Sequence, residues 1–121
     1  MIAFLALAAG LGAACRFLLD DLLSSPHSRL PRGTWVVNTL GSFLLGICAG
    51  GASQGALSPD WLAILGTGFC GGFTTFSTAS LDSVKLAHRG ERLVALFNST
   101  GMIVVCIAAA ALGLTIAHHL C

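Results

Sequence analysis

Apolar residues follow one another in four long runs along the 121-residue chain, separated by three short polar connections. The runs extend over about residues 2–19, 34–51, 61–85 and 93–120. About 20 consecutive apolar residues are enough for a helix to cross the hydrocarbon core of a bilayer. The pattern therefore predicts an all-α membrane protein with four transmembrane helices in a single domain, and no soluble domain.

The third apolar run contains an unusual stretch, from Gly66 to Ser80. Gly71-Gly72 weakens a helix, and Thr74 and Thr75 compete for its backbone hydrogen bonds. Interrupted backbone at membrane depth is tolerated where it is buried in protein or lines a wet cavity. We therefore predict a broken third helix, with the break between Gly71 and Thr75. Such a break exposes carbonyl oxygens to a cation and helix ends to an anion, so an ion site is expected there.

A packing face between helices is the alternative interpretation of this stretch, because glycine and threonine are common at helix contacts in membranes. Two phenylalanines, Phe73 and Phe76, alternate with the hydroxyl residues. The edge of an aromatic ring is electropositive and can face an anion. The phenylalanines therefore favour the ion site over the packing face.

Polar residues in the first two runs extend the candidate site. Thr34, Asn38 and Ser42 are spaced four residues apart and share one helix face. The Asn38 amide can donate hydrogen bonds to an anion, or its carbonyl can satisfy a neighbouring helix. Arg16, near the end of the first run, either extends its guanidinium to the interface or provides a fixed positive charge at an anion vestibule.

Composition excludes several functional classes. Only 9% of the residues are charged and 55% are hydrophobic, and the net charge of +1 argues against a nucleic-acid role. The five cysteines form no CxxC pair and are interpreted as small apolar residues. The chain contains no nucleophile elbow, zinc-protease motif or phosphate loop, so we expect it not to be an enzyme.

Four motifs, in order along the whole chain, resemble the CrcB/Fluc family of microbial fluoride channels. They are residues 10–16 (GLGAACR), 33–46 (GTWVVNTLGSFLLG), 68–78 (GFCGGFTTFST) and 112–113 (LG). The third is long and unusual in composition, which makes the resemblance specific. The resemblance implies a channel in the cell (inner or plasma) membrane that exports fluoride passively from the cytoplasm and lowers its toxicity.

The same resemblance implies an antiparallel, dual-topology dimer with two anion pores. It implies a central sodium ion, structural and not transported, held by the backbone carbonyls of Gly71 and Thr74. The side chains that it places in or beside the pore are Asn38, Phe76, Ser77 and Thr78.

Three residues depart from the family pattern. Ala79 stands where a second pore phenylalanine is usual, and Asn98 and Met102 stand where a tyrosine and a serine are usual in the fourth span. A small four-span drug/proton exchanger is the first alternative function. Such exchangers carry a membrane-embedded glutamate in the first span, whereas no acidic residue precedes Asp20 in this chain. A membrane subunit that does not conduct is the second.

The basic residues are distributed unevenly about the membrane. All six lie at the end of the first span or in the connections after the first and third spans: Arg16, Arg29, Arg32, Lys85, Arg89 and Arg92. Basic connections stay in the cytoplasm, which predicts that both termini lie outside it. The dimer partner is therefore either a second copy or a paralogous subunit of opposite orientation.

Overall fold

The fold was obtained as a computed structural model, which describes residues 1–23 and 30–121; Arg29 therefore lies outside the described residues. Within the described residues the chain forms five helices and no strand. They are α1, Ile2–Leu23; α2, Arg32–Ser53; α3, made of Pro59–Leu62, Ala63–Cys70 and Gly71–Phe73; α4, Phe76–His88; and α5, made of Arg92–Leu96, Phe97–Gly101 and Met102–Leu120. Ala63–Cys70 and Phe97–Gly101 have wider, π-helical turns. The predicted four helices are confirmed, with α3 and α4 as the two halves of the broken third helix.

The long helices have the dimensions and composition of membrane spans. Helices α1, α2 and α5 are each long and apolar enough to cross a bilayer, and many of their large apolar side chains point away from the protein. The third helix begins at Pro59, where the Ser58 side chain accepts a hydrogen bond from the Trp61 amide and Pro59 occupies the first turn. The chain is a multi-pass membrane protein.

The break in the third helix lies later than the glycine pair suggested. Gly71–Phe73 is still helical, whereas Thr74 (φ −84°, ψ 160°) and Thr75 (φ −145°, ψ 122°) are extended. The break thus lies within the predicted stretch from Gly71 to Thr75, at its C-terminal end. Gly72 serves close packing instead, since a Cβ atom there would overlap the Ala9 carbonyl of α1.

Small residues bring α2 and α5 into close contact. A Cβ atom on Gly46 would overlap the Ala110 carbonyl, and one on Gly113 would overlap the Phe43 carbonyl. Gly50 packs in the same way against Leu114. These glycines thus form a helix contact, and it fixes α5 beside the polar residues of α2.

Candidate functional site

The Asn38 side chain holds the break in the third helix. Its Nδ2 donates a hydrogen bond to the Thr75 carbonyl at 2.9 Å, and its Oδ1 accepts one from the Thr75 amide at 2.8 Å. In a continuous helix that amide would bond the carbonyl of Gly71, four residues earlier. The side chain of α2 therefore replaces the helical partners of Thr75, which is why the backbone can be extended there without leaving buried polar groups unsatisfied.

Two threonines complete the ends of the broken helix. The Thr75 hydroxyl accepts a hydrogen bond from the Thr78 amide at 3.2 Å and caps the N-terminus of α4. The Thr74 hydroxyl donates to the Cys70 carbonyl at 3.0 Å and closes the last turn of α3. A Cβ atom on Gly41 of α2 would overlap the Thr74 methyl, so only glycine lets α2 approach the break this closely.

A large groove of about 610 Å³ opens on one side of the break. Asn38, Thr74, Thr75 and Phe76 line its wall at the break, and α5 forms the wall opposite. Phe76 is 85% exposed, so its ring contacts little within the chain. Ala79 also lines this groove and fills little of it. The groove is open on one side, so that a second surface would be needed to enclose it.

A smaller cavity of about 180 Å³ lies on the other side of the break. Arg16, Asp20, Thr34 and Thr78 contribute its polar lining, together with Thr75, which lines the large groove as well. The Arg16 Nη1 donates to the Thr74 carbonyl at 3.5 Å, a long and weak hydrogen bond. Arg16 is therefore partly buried beside the break.

The predicted site residues thus fall into three groups. Asn38, Thr74 and Phe76 meet at the groove, and Arg16 and Thr78 meet in the smaller cavity. Ser77, on the first turn of α4, and Gly71, on the last turn of α3, are exposed. A Cβ atom on Gly71 would have no neighbour within 4 Å, so open space surrounds this residue.

A second buried amide was not recognised as part of the site from sequence. Asn98 of α5 has 0% exposure; its Oδ1 accepts from the Trp35 Nε1 at 2.7 Å and its Nδ2 donates to the Ser83 Oγ at 2.8 Å. The network joins α2, α4 and α5 beside the groove. An asparagine within an apolar span was the available signal, but nothing in the sequence identified Trp35 and Ser83 as its partners.

Met102 provides a further contact to the break. Its side chain is buried, and its Sδ lies 3.2 Å from the Asn38 Nδ2, which donates to it. The residue was noted in the sequence only as a departure from a family pattern. The hydrogen bond to Asn38 could not be inferred from that departure.

Asp82 of α4 contacts one of the small cavity's threonines. The Thr34 hydroxyl donates to the Asp82 Oδ2 at 3.2 Å. Thr34 is buried, so the contact lies within the bundle and ties α2 to α4. Together with the Asn38 contacts, it keeps the second half of the broken helix against α2.

Comparison with known proteins shows which family this chain is similar to. Residues 3–114 match the sequence model described as "CrcB-like protein, Camphor Resistance (CrcB)". A relative from Leifsonia xyli subsp. xyli, named fluoride-specific ion channel FluC 1, is 49% identical over 111 residues, which cover 90% of this chain and 80% of the relative.

Two further relatives have similar names. The fluoride-specific ion channel FluC 2 of Cutibacterium acnes is 46% identical over 112 residues, covering 91% of each chain. The fluoride-specific ion channel FluC of Pyrococcus horikoshii is 42% identical over 120 residues, covering 98% of this chain and 97% of the relative. The match over nearly the whole chain, together with the broken third helix, shows that this protein belongs to the CrcB family.

Proposed function

We propose that this protein is a fluoride-selective channel that lets fluoride leave the cytoplasm passively and so lowers its toxicity. The observation that carries the proposal is the groove at the break of a membrane-spanning helix, where Asn38 and an exposed phenylalanine meet. Relatives that are 42–49% identical over most of the chain are named as fluoride-specific channels. No enzymatic activity is part of this function.

The chemistry of the groove suits a small, strongly hydrated anion. A pore must replace the ion's water with hydrogen-bond donors, while binding weakly enough for the ion to leave. Asn38 supplies an amide donor, Ser77 and Thr78 supply hydroxyls, and the edge of the Phe76 ring adds a weaker positive end. Arg16, beside the break, attracts the anion towards the small cavity.

The direct test is fluoride efflux from liposomes that contain the purified protein, followed with a fluoride electrode. We expect efflux that requires the protein and exceeds chloride efflux under the same gradient. Equal fluxes of the two anions would overturn selectivity. Absence of flux, also after co-reconstitution with a partner subunit, would overturn the channel and favour a membrane subunit that does not conduct.

The Gly71 and Thr74 carbonyls suit the sodium ion expected at the break. The Thr75 amide bonds Asn38, so it does not occupy the Gly71 carbonyl, and open space surrounds Gly71. Within the described part of the chain, the Thr74 carbonyl accepts the long bond from Arg16, which leaves it a second lone pair. Carbonyl oxygens are hard ligands, and a bound sodium would join the two subunits by its charge without being transported.

Removing sodium is therefore expected to weaken the dimer. An ion that binds only the dimer stabilises it by mass action, by about a hundredfold in the dissociation constant when present at roughly 100 times its own Kd. We expect a larger monomer fraction on dilution when sodium is replaced by N-methylglucamine at equal ionic strength. The same monomer fraction in both salts would contradict a sodium site.

The dimer itself is proposed to be antiparallel. The groove is open along the side that carries Phe76, and a second subunit placed upside-down would supply the missing wall. The second subunit is a further copy or a paralogue. Ala79 favours a paralogue, because a partner that keeps a phenylalanine at this position would complete one pore and leave the other altered.

A further inference from the structure

The Asn38 amide nitrogen has two hydrogens, and the structure gives them unequal acceptors. One is donated to the Thr75 carbonyl at 2.9 Å. The other is donated to the Met102 thioether at 3.2 Å. Asn38 is only 9% exposed and Met102 only 5%, so water does not compete for either hydrogen. In the described structure, the Asn38 amide is therefore fully occupied by the protein.

The two hydrogen bonds differ in how easily an anion could replace them. The bond to Thr75 is one of the pair that holds the extended backbone of the break, and an anion could take its place only by loosening that break. The bond to Met102 holds no backbone, and a thioether sulfur is a weak acceptor. The hydrogen directed at Met102 is thus the one that Asn38 can give up at low cost.

Met102 is also placed so that it can move. It lines the 610 Å³ groove together with Ile103 and Cys106, so its side chain borders open space. Methionine has three rotatable side-chain bonds and adapts to irregular space. Rotation of the thioether into the groove would uncover the Asn38 hydrogen without moving α2, α4 or α5.

We propose that Met102 is a displaceable cap on Asn38 that lowers the affinity of the pathway for fluoride. This inference rests on the proposed fluoride pathway. Fluoride is a much stronger hydrogen-bond acceptor than a thioether, so the exchange at Asn38 is favourable, but the bond to the sulfur must first be given up. Every anion gives up the same bond, so the cap lowers the affinity for fluoride and for chloride by the same factor and leaves their ratio unchanged. Met102 therefore sets how tightly the pathway holds its anion, and it acts through Asn38.

Three substitutions separate the cap from general effects on the groove. Met102→Leu keeps the size and removes the acceptor, whereas Met102→Gln keeps the length and supplies a strong carbonyl acceptor. Val104→Gln is the matched control, because Val104 lies two residues further along α5, is exposed and is not among the residues that line the groove. The measurement is the fluoride concentration that gives half-maximal efflux in conducting liposomes, together with the ratio of fluoride to chloride flux.

One hydrogen bond corresponds to about a fivefold to tenfold change in affinity. We expect Met102→Leu to lower the half-saturating fluoride concentration by roughly this factor and to leave the ratio of fluoride to chloride flux unchanged. Met102→Gln is expected to raise that concentration by roughly the same factor, and Val104→Gln to leave it within about twofold.

Wild-type half-saturation in both Met102 variants, with intact fluoride-selective flux, would overturn the cap and leave the channel standing. A Val104→Gln effect equal to that of Met102→Gln would also overturn it, because any glutamine on this part of α5 would then have the same effect. Unselective or absent flux in the wild-type dimer would instead overturn the proposed function, and the cap with it. Leucine is apolar and similar in size to methionine, so the Met102→Leu variant keeps the test decisive if the glutamine variant fails to assemble.

Discussion

Replacing Asn38 by aspartate is expected to reduce fluoride flux by roughly a hundredfold to a thousandfold. Two unit charges of the same sign about 4 Å apart repel by about 4 kcal/mol at the effective dielectric constant typical near protein surfaces. The carboxylate would also lose both amide hydrogens and would face the Thr75 carbonyl, which can only accept. We therefore expect conduction to fall and the extended geometry of the break to be destabilised.

The matched control is aspartate at the other buried amide. Both partners of Asn98 can donate, since Trp35 already donates and the Ser83 hydroxyl can turn its hydrogen. Asn98→Asp is therefore expected to assemble and to retain more flux than Asn38→Asp. Dimer assembly is checked by size-exclusion chromatography and flux with a fluoride electrode. Near-normal flux through assembled Asn38→Asp protein would show that Asn38 is purely structural.

Expressed alone, this chain is expected to insert mainly with both termini outside the cytoplasm and to conduct poorly. Its basic residues are confined to one side of the membrane, and basic connections stay in the cytoplasm. An antiparallel dimer needs subunits in both orientations. The chain should therefore depend on a partner with the opposite distribution of basic residues, and co-expression with such a partner is expected to raise flux at least tenfold.

A reporter fused to the C-terminus measures the orientation, and flux from the lone chain measures the dependence on a partner. The variant Gln54→Arg with Ala56→Arg adds two positive charges to the opposite connection, at exposed positions. It is expected to insert in both orientations and to gain flux without a partner. Reporter signal from both sides, with robust flux from the unaltered lone chain, would refute the paralogous partner and restore a homodimer.

The helices could be predicted from sequence because their cause is local. Four apolar runs of sufficient length determine four membrane helices, since lipid offers no partner for an unpaired backbone. The presence of a break was also predictable, because Gly71-Gly72 and the following threonines weaken a helix. Its exact place between Gly71 and Thr75 was not, because Gly71–Phe73 stays helical and the extended residues are Thr74 and Thr75.

The choice between the two roles of Asn38 also needed the tertiary structure. The sequence allowed Asn38 to be either a hydrogen-bond donor to an anion or a partner of a neighbouring helix. In the fold, its Oδ1 and one Nδ2 hydrogen bond the Thr75 backbone, and its other Nδ2 hydrogen is donated to the Met102 sulfur. In the same way, Asn98 was visible as a polar residue, but its bonds to Trp35 and Ser83 were not. These contacts join residues 15 to 64 positions apart.

By itself, the sequence determined the membrane class, the number of helices and the resemblance to the CrcB family. Only the tertiary structure decided where the third helix breaks and which side chains hold the break. The physical reason is that hydrophobic periodicity and chain length act within one segment. The partner of a buried amide depends instead on which helices pack together, and this packing is settled by glycine contacts such as that between Gly46 and the Ala110 carbonyl.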